Sequence, residues 1–478
     1  MSSPFNEEKY KALLEGLEIS EVWLSGLDKI QNRFDAEFYS KQNLFLEHVI
    51  KKSGYTTLSL LHCEIDCSAF YPGITQYYNY ESIGIPFIRV NEIQDGFVRL
   101  TDSTAFLPEN VIIDNSKTIA LAYPDDIVIA KGGNTLAKVG ILTNEYAKYA
   151  ICRDVLLVRT KKLSFYQKYN IWAFLNSSFG YRMMIKTASQ TGQPHLTVPN
   201  IAELKIPKWI ENDTRFSDYY ISATQLSQKS KVLYSQAEDT LLSELGLKDW
   251  RPNNNPVNIK QLKESFLASG RLDAEYYQPK YEDYSKFIKH YKGGSDSLKN
   301  ICFVNDKNFN PSNDSEYKYI ELSNIGNSGG ITGCTTSIGA KLPSRARRLV
   351  HTNDVIVSSI EGSLQSVALV TEEYDKAICS TGFYVVNSRT INPETLLVLF
   401  KSEPIQNLLK QGCSGTILTA IGRTEFQNIV MPKIRKEVQT EIAKYVQKSI
   451  SLRNEAKQLL ENAKLKVESE ITNGGVFN

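Results

Sequence analysis

The sequence predicts an α+β chain: two homologous mixed α/β domains joined by two long antiparallel coiled-coil helices, forming an internal repeat with pseudo-two-fold symmetry. Three observations predict it. The heptapeptide "RFDAEFY" at 33–39 returns as "RLDAEYY" at 271–277. Alternating, β-branched segments follow each copy in the same order, which marks a duplication of the whole unit. Each series closes at a proline, Pro207 or Pro432, and is followed by a long polar stretch with apolar residues three and four apart, the spacing of one helix face.

Size and composition allow this arrangement. The chain has 478 residues, more than one core holds, since single cores stop growing at about 250–300 residues. Its 42% hydrophobic and 23% charged residues are the balance of a folded globular protein. The seven cysteines are odd in number and scattered, so neither a disulfide framework nor a paired CxxC site is expected, and the thiols should be reduced. His62, Cys63 and Cys67 form part of a ligand set, but no second cluster completes it, and no metal is expected. No apolar run reaches the length of a signal peptide or a membrane span, so a cytoplasmic location and no membrane partner are expected. A net charge of +2 leaves any affinity for nucleic acid to local patches.

The repeat can be followed element by element. "FIRVNEI" at 87–93 lies over "YIELSNI" at 319–325. "YPDDIVIAKGGNTLAKVGILT" at 123–143 lies over "HTNDVIVSSIEGSLQSVALVT" at 351–371, with Asp126 on Asp354, Leu136 on Leu364 and Val139 on Val367. "AIC" at 150–152 returns at 377–379. After Pro207 a seam runs through Tyr219, Ala223, Leu226, Ser230, Leu233, Ala237, Leu241 and Leu245; after Pro432 another runs through Tyr445, Ser449, Leu452, Ala456, Leu459, Ala463, Val467 and Ile471. Both mix small and large residues, as closely approaching helices require. A helix over 213–245 would be about 50 Å long and must bury its stripe on a partner, the obvious one being the helix over 438–471. Val232, Ile450 and Leu460 flank the seams as exposed apolar positions that a partner could cover. "ALLEGLEISEVW" at 12–23 repeats the end of the first helix, "TLLSELGLKDW" at 240–250. The expected division is a tail over 1–30 that completes a circular repeat, a domain over 31–208, a spacer helix over 209–250, a linker and second domain over 251–434, and a C-terminal helix over 435–478.

Catalytic motifs are missing from the sequence. It has no GxxxxGK(S/T) phosphate loop, GxGxxG turn, HExxH, GxSxG or Asn-Pro-Pro-aromatic segment, so no catalytic residue is assigned and the chain is not expected to be an enzyme. Asp125 and Asp126 recur only as Asn353 and Asp354, which reads as an acidic turn opening a strand.

In its ordered duplication the chain resembles the specificity subunits of type I restriction-modification systems. The resemblance is carried by the paired heptapeptides, "DDIVIAKGG" with "NDVIVSSIEG", the helices after Pro207 and Pro432, and the circular tail, and it covers essentially the whole chain. It implies that each domain is a target recognition domain reading one half of a bipartite double-stranded DNA sequence, and that the helices set the spacing and dock two methyltransferase subunits. It further implies restriction/translocase subunits in the full complex. This chain would carry no cofactor, the partners using S-adenosylmethionine and, for restriction, ATP with Mg. A subunit of a related modification or phage-defence system, or a scaffold whose basic loops grip a protein, are the alternatives.

Base reading needs donors and acceptors at loop tips, and phosphate contact needs cations or amides. The first domain offers Arg89, the turn "KGGNTLAK" with Lys131, Asn134, Thr135 and Lys138, and the loop "QTGQPH" with Gln190, Gln193 and His195. His195, beside a proline, also reads as a loop-packing residue. The second domain offers Lys341, Arg345, Arg347 and Arg348 in "KLPSRARR", Ser363 and Gln365 in the turn matching "NTLAK", and Thr416 in the divergent loop "SGTILTAIG". Four cations in eight residues repel one another and point to a polyanion.

Overall fold

The computed structural model describes all residues except 1–5, 28–32, 70–72, 81, 102–103, 190–192, 256, 306, 327, 416–418 and 473–478. It divides into two compact units, residues 1–224 with 455–478 and residues 225–454.

In the first unit the helix Lys41–Lys52, capped by the Ser40 hydroxyl, leads into the strand Tyr55–Thr57. That strand pairs antiparallel with Lys205–Pro207, Tyr55 opposite Pro207, so the two ends of the domain close on each other. The proline sits at the strand end, where its missing N–H costs the ladder least. Between them lies a six-stranded sheet in the order Glu64–Cys67, Val155–Arg159, Ile127–Ala130, Val139–Ile141, Phe97–Val98, Ile93–Gln94. A four-stranded sheet, Phe106–Leu107, Ile85–Ile88, Tyr149–Ile151, Leu121–Ala122, contains one parallel pair, Ile85–Ile88 with Tyr149–Ile151. Every residue of Ile127–Ala130 is buried, as its unbroken apolar run requires. The helix Phe165–Asn176 covers the sheet, and its Trp172 donates Nε1–H to the Gly96 carbonyl at 2.6 Å. Gly96 has φ 80°, and a Cβ there would meet the Trp172 ring at 3.1 Å.

The second unit repeats this pairing. Ser295–Ser297 pairs with Val430–Pro432, Ser295 opposite Pro432. Phe383–Ser388 lies between Cys302–Asn305 and Val355–Ser358, which pairs in turn with Val367–Leu369. Glu316–Ile320 runs parallel to Ile378–Ser380. The turn before each central strand is also kept. Asp125 and Asn353 take φ 68° and 72°, the left-handed region these residue types tolerate best. Asp126 accepts the Tyr123 and Thr160 amides at 2.9 Å each, and Asp354 accepts the His351 amide at 2.9 Å and the Asn387 side chain at 3.0 Å. These aspartates serve the fold, as the acidic-turn reading expects.

Register corrects one alignment. Ala150 lies opposite Phe87 and Leu121, and the residue opposite Tyr319 and Leu349 is Ile378, not Ala377. The repeated "AIC" is therefore displaced by one position in space. A strand cannot absorb such a slip without turning every side chain to the other face, so burial, not identity, sets the equivalence.

The long helices are Arg215–Leu245 and Lys436–Thr472, close to the expected 213–245 and 438–471. Residues 225–245 and 436–454 belong to the second unit, where the helices run antiparallel: the Arg435 guanidinium forks onto Glu244 at 2.8 and 2.7 Å, and Ser230 meets Ser449. Each of these buried serines donates to the other's carbonyl at 2.9 Å. In the first unit Arg215 reaches Glu470 at 2.7 Å. The seam departs from the expected one where Tyr219, Leu226, Leu233, Tyr445 and Leu459 are only half-buried and Tyr220, Tyr234, Val446 and Leu460 are buried instead. Ser230, Ala237 and Ala456 stay buried, and the large buried residue after Ser230 and after Ala456 lies four positions on rather than three; three- and four-residue steps both stay on one helix face. Leu460 is thus no docking position, being 3% exposed, whereas Val232 is 58% exposed. The tail keeps a helix, Glu7–Leu14, but not the burial: Leu13 and Leu17 are 66% and 49% exposed where Leu241 and Leu245 are buried.

The serine pair makes a test. Ser230→Ala removes the bond to the Ser449 carbonyl and the hydroxyl–hydroxyl contact, while Ser449 keeps the Ser230 carbonyl as its acceptor, and should destabilise the protein by about 1 kcal/mol. Because either single change already breaks the hydroxyl–hydroxyl contact, Ser230→Ala with Ser449→Ala should cost less than the sum of the two single changes. Urea denaturation of the four proteins checks this; additive losses would show that the hydroxyls are not coupled.

Candidate nucleic-acid interface

The central strand of each unit ends in the same backbone ladder. After Ile127–Ala130, the Lys131 amide donates to the Asp154 carbonyl at 2.9 Å and the Leu196 amide donates to the Lys131 carbonyl at 2.9 Å. Gly132 bridges His195, and the turn Gly133–Thr135 follows. After Val355–Ser358, the Ser359 amide donates to the Gly382 carbonyl at 2.9 Å and the Ile421 amide donates to the Ser359 carbonyl at 2.8 Å. Ile360 bridges Ala420, and the turn Glu361–Ser363 follows. Three segments distant in sequence meet in each unit: the turn after the strand, the turn at 152–154 or 380–382 that leads from one sheet to the other, and the loop after a helix. A Cβ on Gly132 would lie 2.3 Å from the His195 ring, so glycine is what lets that ring rest on the backbone.

The ladder gathers most of the first domain's predicted residues. Asn134, Lys138, Gln193 and His195 are exposed around it, with Lys131 and Thr135 half-buried. The Thr135 hydroxyl donates to the Gly132 carbonyl at 3.2 Å, and the His195 amide donates to the Ser189 hydroxyl at 3.1 Å. Gln190 and Thr416 lie outside the described residues.

Arg89 has a partner of its own. Its guanidinium is 3.0 Å from the buried Glu92 carboxylate, which also accepts the Arg89 amide at 2.9 Å and so shapes the turn Val90–Glu92. In the second unit Glu321 stands at that place, its amide donating to Asn324 at 2.8 Å, and Arg345 arrives from the neighbouring segment to pair with it at 3.0 Å. The ion pair is kept with the signs exchanged. Arg345 also accepts the Thr381 amide at its carbonyl, 2.8 Å away, next to the Gly382 that bonds Ser359, so it stands beside the ladder. The remaining cations of "KLPSRARR" diverge. Arg348 donates to Asn308 at 2.6 Å, Arg347 is half-buried at a bulge between Ala346 and Arg348, and Lys341 is exposed at the end of the turn Gly339–Lys341. The Ser363 hydroxyl bonds the buried Ser358 hydroxyl at 2.9 Å, and the Gln365 carbonyl accepts the buried Lys401 ammonium at 2.8 Å.

Sequence reasoning treated the heptapeptide as a marker of the repeat and missed what it does. Arg33 forks onto Asp35 at 2.6 and 3.0 Å, lies 4.9 Å over the Phe38 ring and donates a further N–H to the Ala188 carbonyl at 2.9 Å. Arg271 forks onto Asp273 at 2.8 and 2.6 Å, lies 4.5 Å over the Tyr276 ring and donates to the Cys413 carbonyl at 3.0 Å. Tyr39 and Tyr277 each donate a hydroxyl to the carbonyl of that arginine at 3.0 Å. The guanidiniums hold the Asp35 and Asp273 carboxyls below their usual range. Agreement of this segment between halves whose loops differ was the available signal.

The helix before each loop docks on the same segment. Lys186, the penultimate residue of Ser178–Thr187, is buried 4.3 Å over the Phe38 ring and pairs with Glu47. Gln411, ending Glu403–Gln411, donates to the Tyr276 carbonyl at 3.0 Å. Burial opposes the Glu47 charge, but Lys186, Lys205 and Lys51 outweigh it and hold the carboxyl far below its usual range. Among the described residues, no group of three or more His, Cys, Asp or Glu side chains could hold a metal ion, and no helix is long and apolar enough to cross a membrane.

No protein-family model matches the chain, and no curated protein does. Among solved structures it is similar to the HsdS subunit from Thermoanaerobacter tengcongensis, at 27% identity and TM-score 0.30, over 38% of this chain and 47% of that one. That match spans about half of the other protein's length. It is also similar to a type I restriction-modification S subunit from M. genitalium, at 11% identity and TM-score 0.33, over 88% and 95% of the two chains. A chain from a structure of type I restriction-modification complex assembly is matched at 11% identity and TM-score 0.27, over 82% and 90%. At such scores these likenesses carry no weight on function.

Glu47 gives a second test. Glu47→Ala strands the buried Lys186 and should cost about 3–5 kcal/mol at neutral pH. The folded carboxyl titrates below its unfolded value of about 4.3, so its contribution is full above that value and is lost as pH falls through the folded one. The gap between the urea midpoints of wild type and variant should therefore shrink on acidification below about pH 4.3; a gap that widens would contradict the pairing.

Proposed function

We propose that the chain is the DNA-specificity subunit of a type I restriction-modification complex, each unit reading one half of a bipartite double-stranded target. The observation that carries this reading is the ladder: one backbone frame, built twice, presenting Lys131, Gly132, Gln193 and His195 in the first unit and Ser359, Ile360, Thr419 and Ala420 in the second. Two like frames with unlike side chains on one chain suit the reading of two different short sequences, because base edges are distinguished by the donors and acceptors set against them. Asn134, Gln190, Gln193 and His195 are the proposed base readers of the first half, with Thr135 shaping their turn. Thr416 and the loop around it, with Ser363 and Gln365 in the adjoining turn, take that place in the second. Lys131, Lys138, Lys341, Arg345, Arg347 and Arg348 are the proposed phosphate contacts, and Arg89 reaches the backbone only through the turn it holds with Glu92.

In this reading residues 31–208 and 251–434 are the recognition domains. The helical stretches 209–250 and 435–478 set the half-site spacing and dock two methyltransferase subunits, and the tail over 1–30 completes the repeat. The chain itself is non-catalytic and works in the cytoplasm. Methyl transfer from S-adenosylmethionine, and ATP- and Mg-dependent restriction, belong to the partner subunits.

Methylation mapping of DNA from cells carrying this chain with its methyltransferase should reveal a split motif, two short defined sequences separated by a fixed unspecified spacer. A continuous motif, or none, would contradict the assignment. The cations have their own readout. Arg345→Ala, Arg347→Ala and Arg348→Ala should each flatten the dependence of log affinity on log salt by about 0.9 for every phosphate the side chain neutralises. A slope unchanged in the triple variant would place these arginines away from the DNA.

A further inference from the structure

We infer that Arg33 and Arg271 are positioning residues that set the pose of the two reading loops, each acting on the loop of its own unit alone. The inference rests on the proposed reading of DNA and says how that site is held.

Each loop is pinned at both ends of its base. In the first unit the Ser189 amide donates to the His195 carbonyl at 3.0 Å, and Leu196 continues into the ladder. The residue just before, Ala188, gives its carbonyl to Arg33. In the second unit Cys413 pairs with Ile421 and Ser414 with Ala420, and the Cys413 carbonyl goes to Arg271. Ala188 caps the helix Ser178–Thr187, whose last carbonyls have no partner within the helix and attract a cation; Cys413 lies two residues past the helix Glu403–Gln411 and opens the strand that closes the loop base. Between the pins the units agree only at Thr191 and Thr416, whereas the arginine, aspartate and closing tyrosine of the segment holding them are the same.

The arginines suit this task and not direct contact with DNA. Their side chains are only 12% and 18% exposed, and the aspartate two residues on occupies one edge of each guanidinium. A guanidinium is a flat, rigid fork. Once one edge is fixed by the aspartate and one face by the Phe38 or Tyr276 ring, the direction of the remaining N–H is fixed too. The tyrosine hydroxyl then ties the arginine's own backbone. The loop base is thus referred to the domain's opening segment across 155 and 142 positions of chain, a distance over which no local turn could register it.

The test uses the full chain with its methyltransferase and two readouts: amide hydrogen exchange of the loops, and methylation maps scored separately for each half of the target. Arg33→Ala should speed exchange over 188–196, leave 413–421 unchanged, and reduce discrimination against mismatches in the first half about tenfold, the scale of a single mismatched base pair. Arg271→Ala should do the converse. Lysine at either position keeps the charge but not the fork and should not rescue. Should Arg33→Ala fail to fold, Tyr39→Phe removes one hydroxyl from the same clamp and should give a smaller loss confined to the same half. Faster exchange with first-half discrimination intact, equal loss in both halves, or full rescue by lysine would each overturn the inference. A wild-type protein that reads no split target would instead sink the functional proposal, while the exchange data would still decide whether the arginines hold the loops.

Discussion

The guanidinium of one arginine, shared between an aspartate two residues on and a carbonyl just past the end of a distant helix, is the interaction on which each unit's working face depends. It joins the first segment of the domain to the last helix before the variable loop, as the pairing of Tyr55 with Pro207 and of Ser295 with Pro432 joins the domain's two ends. With both closures made, the loop between them can change composition without disturbing the sheets. That is the physical reason the arginine, aspartate and closing tyrosine of the heptapeptide stay the same in both halves while the loops they support carry different side chains at most positions.

Elsewhere the geometry is kept while the chemistry changes. The ion pair at the end of the parallel strand is Arg89 with Glu92 in one unit and Glu321 with Arg345 in the other. Beneath the heptapeptide the first unit buries Lys186 with Glu47, and the second uses a neutral Gln411 on a backbone carbonyl. Desolvation offsets much of the Coulomb gain of a buried ion pair, so a well-packed neutral contact can serve in its place. They differ in response to pH, since only the first contains a carboxylate that must stay ionised.

Much of this was legible in the sequence. Asp126 and Asp354, the paired prolines and the small residues at Ser230 and Ser449 each have a local cause and fall where pattern reasoning puts them. The misreadings have causes as well. The "AIC" match misled by one residue because identity carries no information about which face of a strand a side chain takes. The seam takes Tyr234 and not Leu233 between Ser230 and Ala237 because three- and four-residue steps both keep a residue on one helix face, and the partner helix selects between them. The role of Arg33 was hidden because its acceptor is a backbone carbonyl, which leaves no mark on the sequence at Ala188. The arginines of "KLPSRARR" looked like one patch in one dimension, but strand alternation and a bulge separate Arg345 from Arg348, and only the fold brings Glu321 to the first and Asn308 to the second.

The central claim is that each unit reads its own half-sequence through its own loops on a shared frame. Its most direct test is a chimera in which residues 131–138 and 189–195 are replaced by 359–366 and 414–420, followed by methylation mapping. If the frames are equivalent and the loops do the reading, the first half-sequence is replaced by a second copy of the other half, at the same spacing. A chimera that remains active and still methylates the original split target would show that recognition lies elsewhere in the domain.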